Sequence, residues 1–153
     1  MTRYVVRHAK AGQRRDWAGD DCDRPLSKTG RAQAAAIAER LADVGVTELY
    51  ASPFARCVQT LEPLAARVGA AVIGDERLAE GAAFKDTLAL LAEAGDGAVL
   101  CSHGDVIPEL IAALARRGAV VTTDADWRKA SIWVLDGDSD TITSAAAEPP
   151  PRV

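Results

Sequence analysis

The chain contains two histidines, and each directly follows a short apolar run. His8 follows Tyr4-Val5-Val6-Arg7, and His103 follows Ala98-Val99-Leu100-Cys101-Ser102. Short β-rich runs of this kind predict buried strands. In parallel α/β sheets, ligands bind beyond the carboxyl ends of the strands, so two strand-end histidines can meet in one site. A single histidine is more often a surface or satisfied core residue, and the matched placement of two shifts that balance. A third run ends at Ala51-Ser52 and leads through Pro53-Phe54-Ala55 to Arg56, which is expected in the first turn of a helix. Arg7 and Arg56 together can clamp a phosphate, because a guanidinium offers paired donors matched to phosphate oxygens. A helix N-terminus adds free backbone N–H groups and a favourable dipole. Taken alone, Arg56 would read as a solvated helix residue.

The elements that must position these residues follow from periodicity. Tyr4 to Val6 predict a central strand, and the polar, Gly- and Asp-rich stretch from Ala9 to Pro25 a long loop of the kind that often carries function. Ser27 is a predicted N-cap for a helix with Ile37, Leu41 and Val44 on one face and Gly45 as its stop. Glu48 to Ala51 form a predicted strand. Pro53 then falls in the first turn of a second helix, with Val58, Leu61, Ala65 and Val68 as its apolar stripe and Gly69 as its end. Ala71 to Ile73 and Ala98 to Cys101 read as strands, and Phe84 to Ala94 and Val106 to Arg116 as helices. Ala130 to Leu135 and Thr141 to Ala145 read as two strands around Asp136-Gly137-Asp138. Alternating strands and helices predict a three-layer α/β/α sandwich around a mainly parallel sheet, with the last two strands adding an antiparallel strand at one edge. One domain is expected over 1–147, with a Pro-rich, disordered tail over 148–153.

Composition narrows the function classes. A length of 153 residues with 48% hydrophobic content suits a single domain with a sizeable core. The net charge of -4 argues against a general nucleic-acid binder, without excluding a local basic pocket. No stretch reaches the ~20 apolar residues that span a bilayer, and the charged N-terminus does not read as a signal segment, so no membrane role and a cytoplasmic location are expected. Cys22, Cys57 and Cys101 lack paired ligand spacing, and Cys57 and Cys101 read as small buried hydrophobes. Asp20, Asp21 and Asp23 lack the rest of a calcium loop and read as a solvated polar segment. No cofactor or metal is expected. Trp17, Trp127 and Trp133 read as packing residues rather than a platform for bases.

Four segments in order carry a family resemblance: Arg7-His8-Ala9, Leu26 to Ala34 (Leu-Ser-Lys-Thr-Gly-Arg-Ala-Gln-Ala), Ser52 to Thr60 (Ser-Pro-Phe-Ala-Arg-Cys-Val-Gln-Thr), and Ser102-His103-Gly104. The chain resembles the histidine phosphatase superfamily, also called phosphoglycerate mutase-like. Ala9 stands where most members carry glycine, and Arg-His-Ala-Lys near the N-terminus is similar to the short SixA-type branch. The resemblance implies that His8 is the nucleophile and forms a phosphohistidine. It implies that Arg7, Arg56 and His103 surround the phosphoryl oxygens, with Gly104 and Lys10 beside the substrate. Glu80 matches the position of the acid that protonates the leaving group; the competing readings, a solvated loop carboxylate for Glu80 and a solvated lysine for Lys10, stay open. The implied partner is a phosphorylated small molecule, such as a nucleotide, or a phosphohistidine-bearing protein. A catalytically idle phospho-binding module is the alternative from another class. A monomer or weak dimer is expected. A similar phosphatase domain follows a Nudix domain in some bacterial nucleotide hydrolases, and no such preceding domain is expected here.

Overall fold

The computed structural model describes residues 1–138 and 141–153. In chain order the elements are β1 (Thr2–Arg7), α1 (Lys28–Leu41), β2 (Glu48–Ala51), α2 (Ala55–Val68), β3 (Val72–Gly74), α3 (Phe84–Glu93), β4 (Ala98–Ser102), α4 (Val106–Arg116), β5 (Val120–Val121), β6 (Ile132–Gly137) and β7 (Ile142–Glu148). They build one seven-stranded sheet in the order β3-β2-β4-β1-β6-β7-β5. The β3, β2, β4 and β1 strands run parallel. The antiparallel strand is β6, which pairs with both β1 and β7. The two-residue β5 lies outermost, parallel to β7. Its shortness hid it from sequence patterning, which needs about four residues of alternation to register a strand.

Strand residues alternate between the faces, and the core divides accordingly. Tyr4, Val6, Leu49, Val99 and Cys101 pack with Ile37 and Leu41 of α1 and with Leu61 and Leu64 of α2. Val5, Ala98, Leu100, Trp133 and Leu135 pack with Leu90 and Leu91 of α3 and with Leu110 and Ile111 of α4. The sheet is thus the middle layer of an α/β/α sandwich. Among the described residues, no helix is long and apolar enough to cross a membrane.

Several boundaries differ from the sequence reading, each for a local reason. Pro53 precedes α2 instead of lying in its first turn; Phe54 is the N-cap, in extended backbone. Gly69 ends α2 in the left-handed conformation, as glycine permits. The third helix stops at Glu93, with Ala94 turning to extended backbone before Gly95. Glu148, read from the sequence as the first residue of the tail, belongs to β7, where it forms a paired salt bridge with Arg40.

Candidate active site

The carboxyl ends of β1, β2 and β4 meet on one rim of the sheet, and the backbone there interlocks. His8 N–H donates to Ser102 O, and Ser52 N–H donates to Cys101 O. His8 and His103 therefore stand side by side, with ring centroids 5.4 Å apart in an edge-on arrangement. Arg56 projects from the first turn of α2, and Arg7 from the end of β1. His8, Arg56 and His103 are almost fully buried. All four line a cavity of about 280 Å³ with Arg14, Arg24, Glu80, Gly104, Asp105 and Lys129.

The segment Leu26–Ala34 works as a clamp on the backbone just past His8. Ser27 caps α1 through its hydroxyl at Gly30 N–H, and its own N–H donates to Lys10 O. A Cβ at Gly30 would lie 1.8 Å from Lys10 O, so only glycine lets α1 approach this closely. Gln33 accepts from Lys10 N–H at 3.0 Å. The α2 helix grips the same strand end, since Thr60 accepts from Ala9 N–H at 2.9 Å and donates to Arg56 O at 2.6 Å. Ala9 is wholly buried in this grip. Gly104 plays a similar part on the other side: a Cβ there would come within 2.7 Å of the Arg7 guanidinium carbon.

His8 Nδ1 lies 2.8 Å from Ala9 O. A carbonyl only accepts, so Nδ1 carries the proton and donates, which leaves Nε2 with its lone pair. Burial depresses the His8 pKa to about 3, outweighing the raising effect of the Ala9 hydrogen bond, and the charges of His103, Arg56 and Arg7 lower it further. The ring is neutral and of fixed tautomer across the neutral range, with the Nε2 lone pair free of a proton.

His103 is held differently. Its Nε2 pairs with the buried Ser52 hydroxyl at 2.8 Å and lies 3.5 Å from Cys57 Sγ. Phe54 packs edge-on against its ring at 4.8 Å and also lies under the Arg56 guanidinium at 4.9 Å. Sequence reading missed the roles of Ser52, Phe54 and Thr60, although all three fall within the quoted Ser52–Thr60 segment. Cys57 and Cys101 are free and buried, and burial pushes the Cys101 thiol well above its usual range.

Arg56 donates to Asp21 O at 3.0 Å and to the carboxylates of Asp21 and Glu80, both at 3.2 Å. Arg14 reaches the same two carboxylates at 3.3 Å, and Arg24 meets Asp21 at 3.0 Å. Glu80 therefore stands at the cavity wall between two guanidiniums. Asp21 is an ion-pair hub that ties the long loop to α2. Asp20 instead caps its own turn at Cys22 N–H, and among the described residues no three His, Cys, Asp or Glu side chains converge as a metal site. From the long loop, Arg14 lines the cavity; Trp17 bonds back to Asp20 O, and Arg15 is not in the lining.

The Arg7 guanidinium donates to Trp127 O at 2.6 Å. Its Nε and that of Arg56 are buried without a hydrogen-bond partner among the described residues. Lys10 lies at the rim, in a recess that it shares with Arg7, Gln33, Arg128, Lys129 and Pro150. Lys129, which sequence reading passed over, carries a lowered pKa, from desolvation first and then from Arg7, Arg24, Lys10 and Arg56. Ala130 next to it adopts φ 69°, and its N–H donates to the carbonyls of Arg7 and His8. Trp127 also departs from expectation: its ring stacks on buried Trp133 at 5.0 Å but stays exposed, lining a recess with Arg7 and Arg128.

A buried neutral histidine at a strand end, ringed by guanidiniums, is an arrangement for transferring an anionic group. The histidine phosphatase superfamily (branch 1) model matches residues 3–87. The chain belongs to that superfamily. It is 40% identical over 97% of its length to an 8-oxo-(d)GTP phosphatase of Mycolicibacterium smegmatis, and spans about half (48%) of that relative. Among solved structures, a SixA protein histidine phosphatase complexed with tungstate has the same fold, with TM-score 0.76 at 20% identity, over 97% of this chain and 94% of that one. A mycobacterial glucosyl-3-phosphoglycerate phosphatase gives TM-score 0.69 at 21% identity, over 96% of each chain. The fold is thus that of the compact SixA-like phosphatases.

Proposed function

We propose that the protein hydrolyses a small, polyanionic phosphate compound, with a nucleotide as the leading candidate. One observation carries the choice: in a chain of net charge -4, a set of cations is concentrated around His8. Arg14, Arg24 and Lys129 join Arg7 and Arg56 in the cavity, and Lys10 and Arg128 line the recess beside it. One phosphoryl group needs the inner arginines. Arg14, Arg24 and Arg128 are already paired with Asp21, Glu80 and Asp126; Lys10 and Lys129, without a salt bridge among the described residues, suit further negative charge on the same ligand. The name of the 40%-identical relative agrees with this reading. The exposed Trp127 ring, whose own carbonyl holds Arg7, stands where a nucleobase would stack.

In the proposed reaction, the Nε2 lone pair of His8 attacks phosphorus and the bond to the leaving oxygen breaks. Glu80 supplies the proton that this oxygen takes. Arg7, Arg56 and His103 contact the phosphoryl oxygens and offset the charge they carry during transfer, which is the larger part of phosphoryl-transfer catalysis. Gly104 keeps Arg7 in place, and Lys10 holds the outer part of the substrate. Water then attacks phosphorus, and the bond to Nε2 breaks and leaves His8 neutral. The Glu80 carboxylate takes the proton that the water gives up, which restores the acid.

A substrate panel tests the reading: nucleoside mono-, di- and triphosphates, sugar phosphates, p-nitrophenyl phosphate and a phosphohistidine-bearing protein. A nucleotide is expected to give the highest kcat/KM. A preference for the phosphohistidine protein would overturn the small-molecule assignment. Binding of phosphate with no trapped phosphoenzyme on any substrate would instead mark a phospho-binding module.

A further inference from the structure

Arg3 lies at the opposite end of β1 from His8, on the face covered by α3 and α4. It is only 3% exposed, and it forms no salt bridge among the described residues. Its Nε donates to Ala94 O, the carbonyl at the end of α3, at 2.9 Å. That bond fixes the guanidinium but uses one of its five N–H donors, and the two terminal nitrogens have no hydrogen-bond partner among the described residues. The helix terminus offers this cation only about half a negative charge, and the terminal nitrogens of the guanidinium, which are not buried, stay open to a counter-anion.

The same guanidinium lines a cavity of about 310 Å³, separate from the one around His8. Leu88 and Leu91 of α3, Leu114 of α4 and Ile142 of β7 form its apolar walls, and Arg117 adds a second cation at the end of α4. We infer that this cavity is a binding site for a small organic anion with an apolar body, such as an aromatic or short aliphatic carboxylate. The carboxylate would take the paired terminal donors of Arg3 and the charge of Arg117. The leucine and isoleucine side chains would cover the hydrocarbon, as in ligand sites that combine apolar walls with a few placed polar groups. This site is independent of the phosphatase reading, because none of its lining residues belongs to the catalytic rim.

The test is an amide-shift titration of the whole protein with benzoate and hexanoate, with benzamide and inorganic phosphate as controls. Benzoate and hexanoate are expected to shift Leu88, Ala92, Leu114 and Arg117 saturably. Benzamide, isosteric but neutral, should bind at least about tenfold more weakly, and Arg3→Gln should lose a similar factor for benzoate. Phosphate should shift the resonances around His8 and leave the Arg3 cavity unmoved. If Arg3→Gln fails to fold, Arg117→Gln is the second variant, with a loss of about threefold or more expected from one charge at the rim. Absence of a saturable shift with either carboxylate would overturn the inference. So would equal binding of benzamide, equal response to phosphate, or unchanged benzoate affinity in whichever variant folds.

Discussion

His8, Arg56 and His103 are 5%, 2% and 3% exposed, whereas Lys10, Arg14, Arg128, Lys129 and Trp127 stand in solvent on the rim around them. The inner group is fixed by short backbone bonds from neighbouring strands and by Thr60, Ser52 and Phe54. The outer group comes from the long loop and from the segment before β6, where surface contacts hold it: Arg14 pairs with Asp21 and Glu80, Arg128 with Asp126, and Trp127 stacks on Trp133. Buried groups that must hold one geometry are suited to the chemical step. Exposed cations and an exposed ring are suited to choosing what carries the phosphate.

Substitutions at each depth can break this contrast. His8→Ala should lower turnover by on the order of 10³-fold or more while circular dichroism stays native, because the residue ends a strand and does not support the core. Activity that persists would remove His8 as nucleophile. Gly104→Ala, which forces a methyl toward Arg7, should lower kcat by about 10- to 100-fold with a smaller change in KM. An unchanged kcat would mean that Arg7 can move without consequence. Glu80→Gln should slow substrates with poor leaving groups by at least about tenfold and spare good ones, as expected for a general acid. Equal loss on both would leave Glu80 as an ion-pair partner of Arg14 and Arg56 only.

Two smaller effects probe burial and the rim. Because the folded His8 pKa is about 3 and lies below the unfolded value, the unfolded chain takes up a proton that the folded chain refuses. Stability should fall as pH drops below about 6.5 toward 3, His8 contributing a slope of up to about 1.4 kcal/mol per pH unit. Urea titrations of wild type against His8→Gln measure that contribution, and identical pH dependence would count against a buried neutral ring. Trp127→Ala should raise KM for a nucleotide about fivefold while leaving p-nitrophenyl phosphate unaffected, since the backbone carbonyl that holds Arg7 is retained. An equal change on both substrates would make the ring a packing residue, as the sequence had suggested.

The catalytic candidates were readable early because their positions are local consequences of strand ends. A run such as Tyr4-Val5-Val6 must be buried, so the polar residue that ends it must emerge at the rim. The predicted strands that carry His8 and His103 and lead to Arg56 are present as β1, β4 and β2. Lys129 and Trp127 were not readable in the same way. They lie in a stretch without periodicity, far along the chain from His8, and Ala130 with φ 69° turns that stretch across the site. Asp21 is similar: nothing in its local pattern says that it will meet three arginines.

The sequence by itself determined that Arg7, His8, Arg56 and His103 stand at the ends of strands and at the start of a helix. Histidine and arginine at strand and helix ends are short-range features, set by hydrophobic alternation and capping. Only the tertiary structure decided which carbonyl fixes the His8 tautomer, why Gly30 and Gly104 have no side chain, and which cations surround the cavity. The tautomer turns on the direction of a neighbouring carbonyl, that of Ala9, whereas the glycines and the cations depend on contacts between segments tens of residues apart, such as Ala9 with Thr60 and Arg7 with Trp127, which leave no periodic trace in the chain.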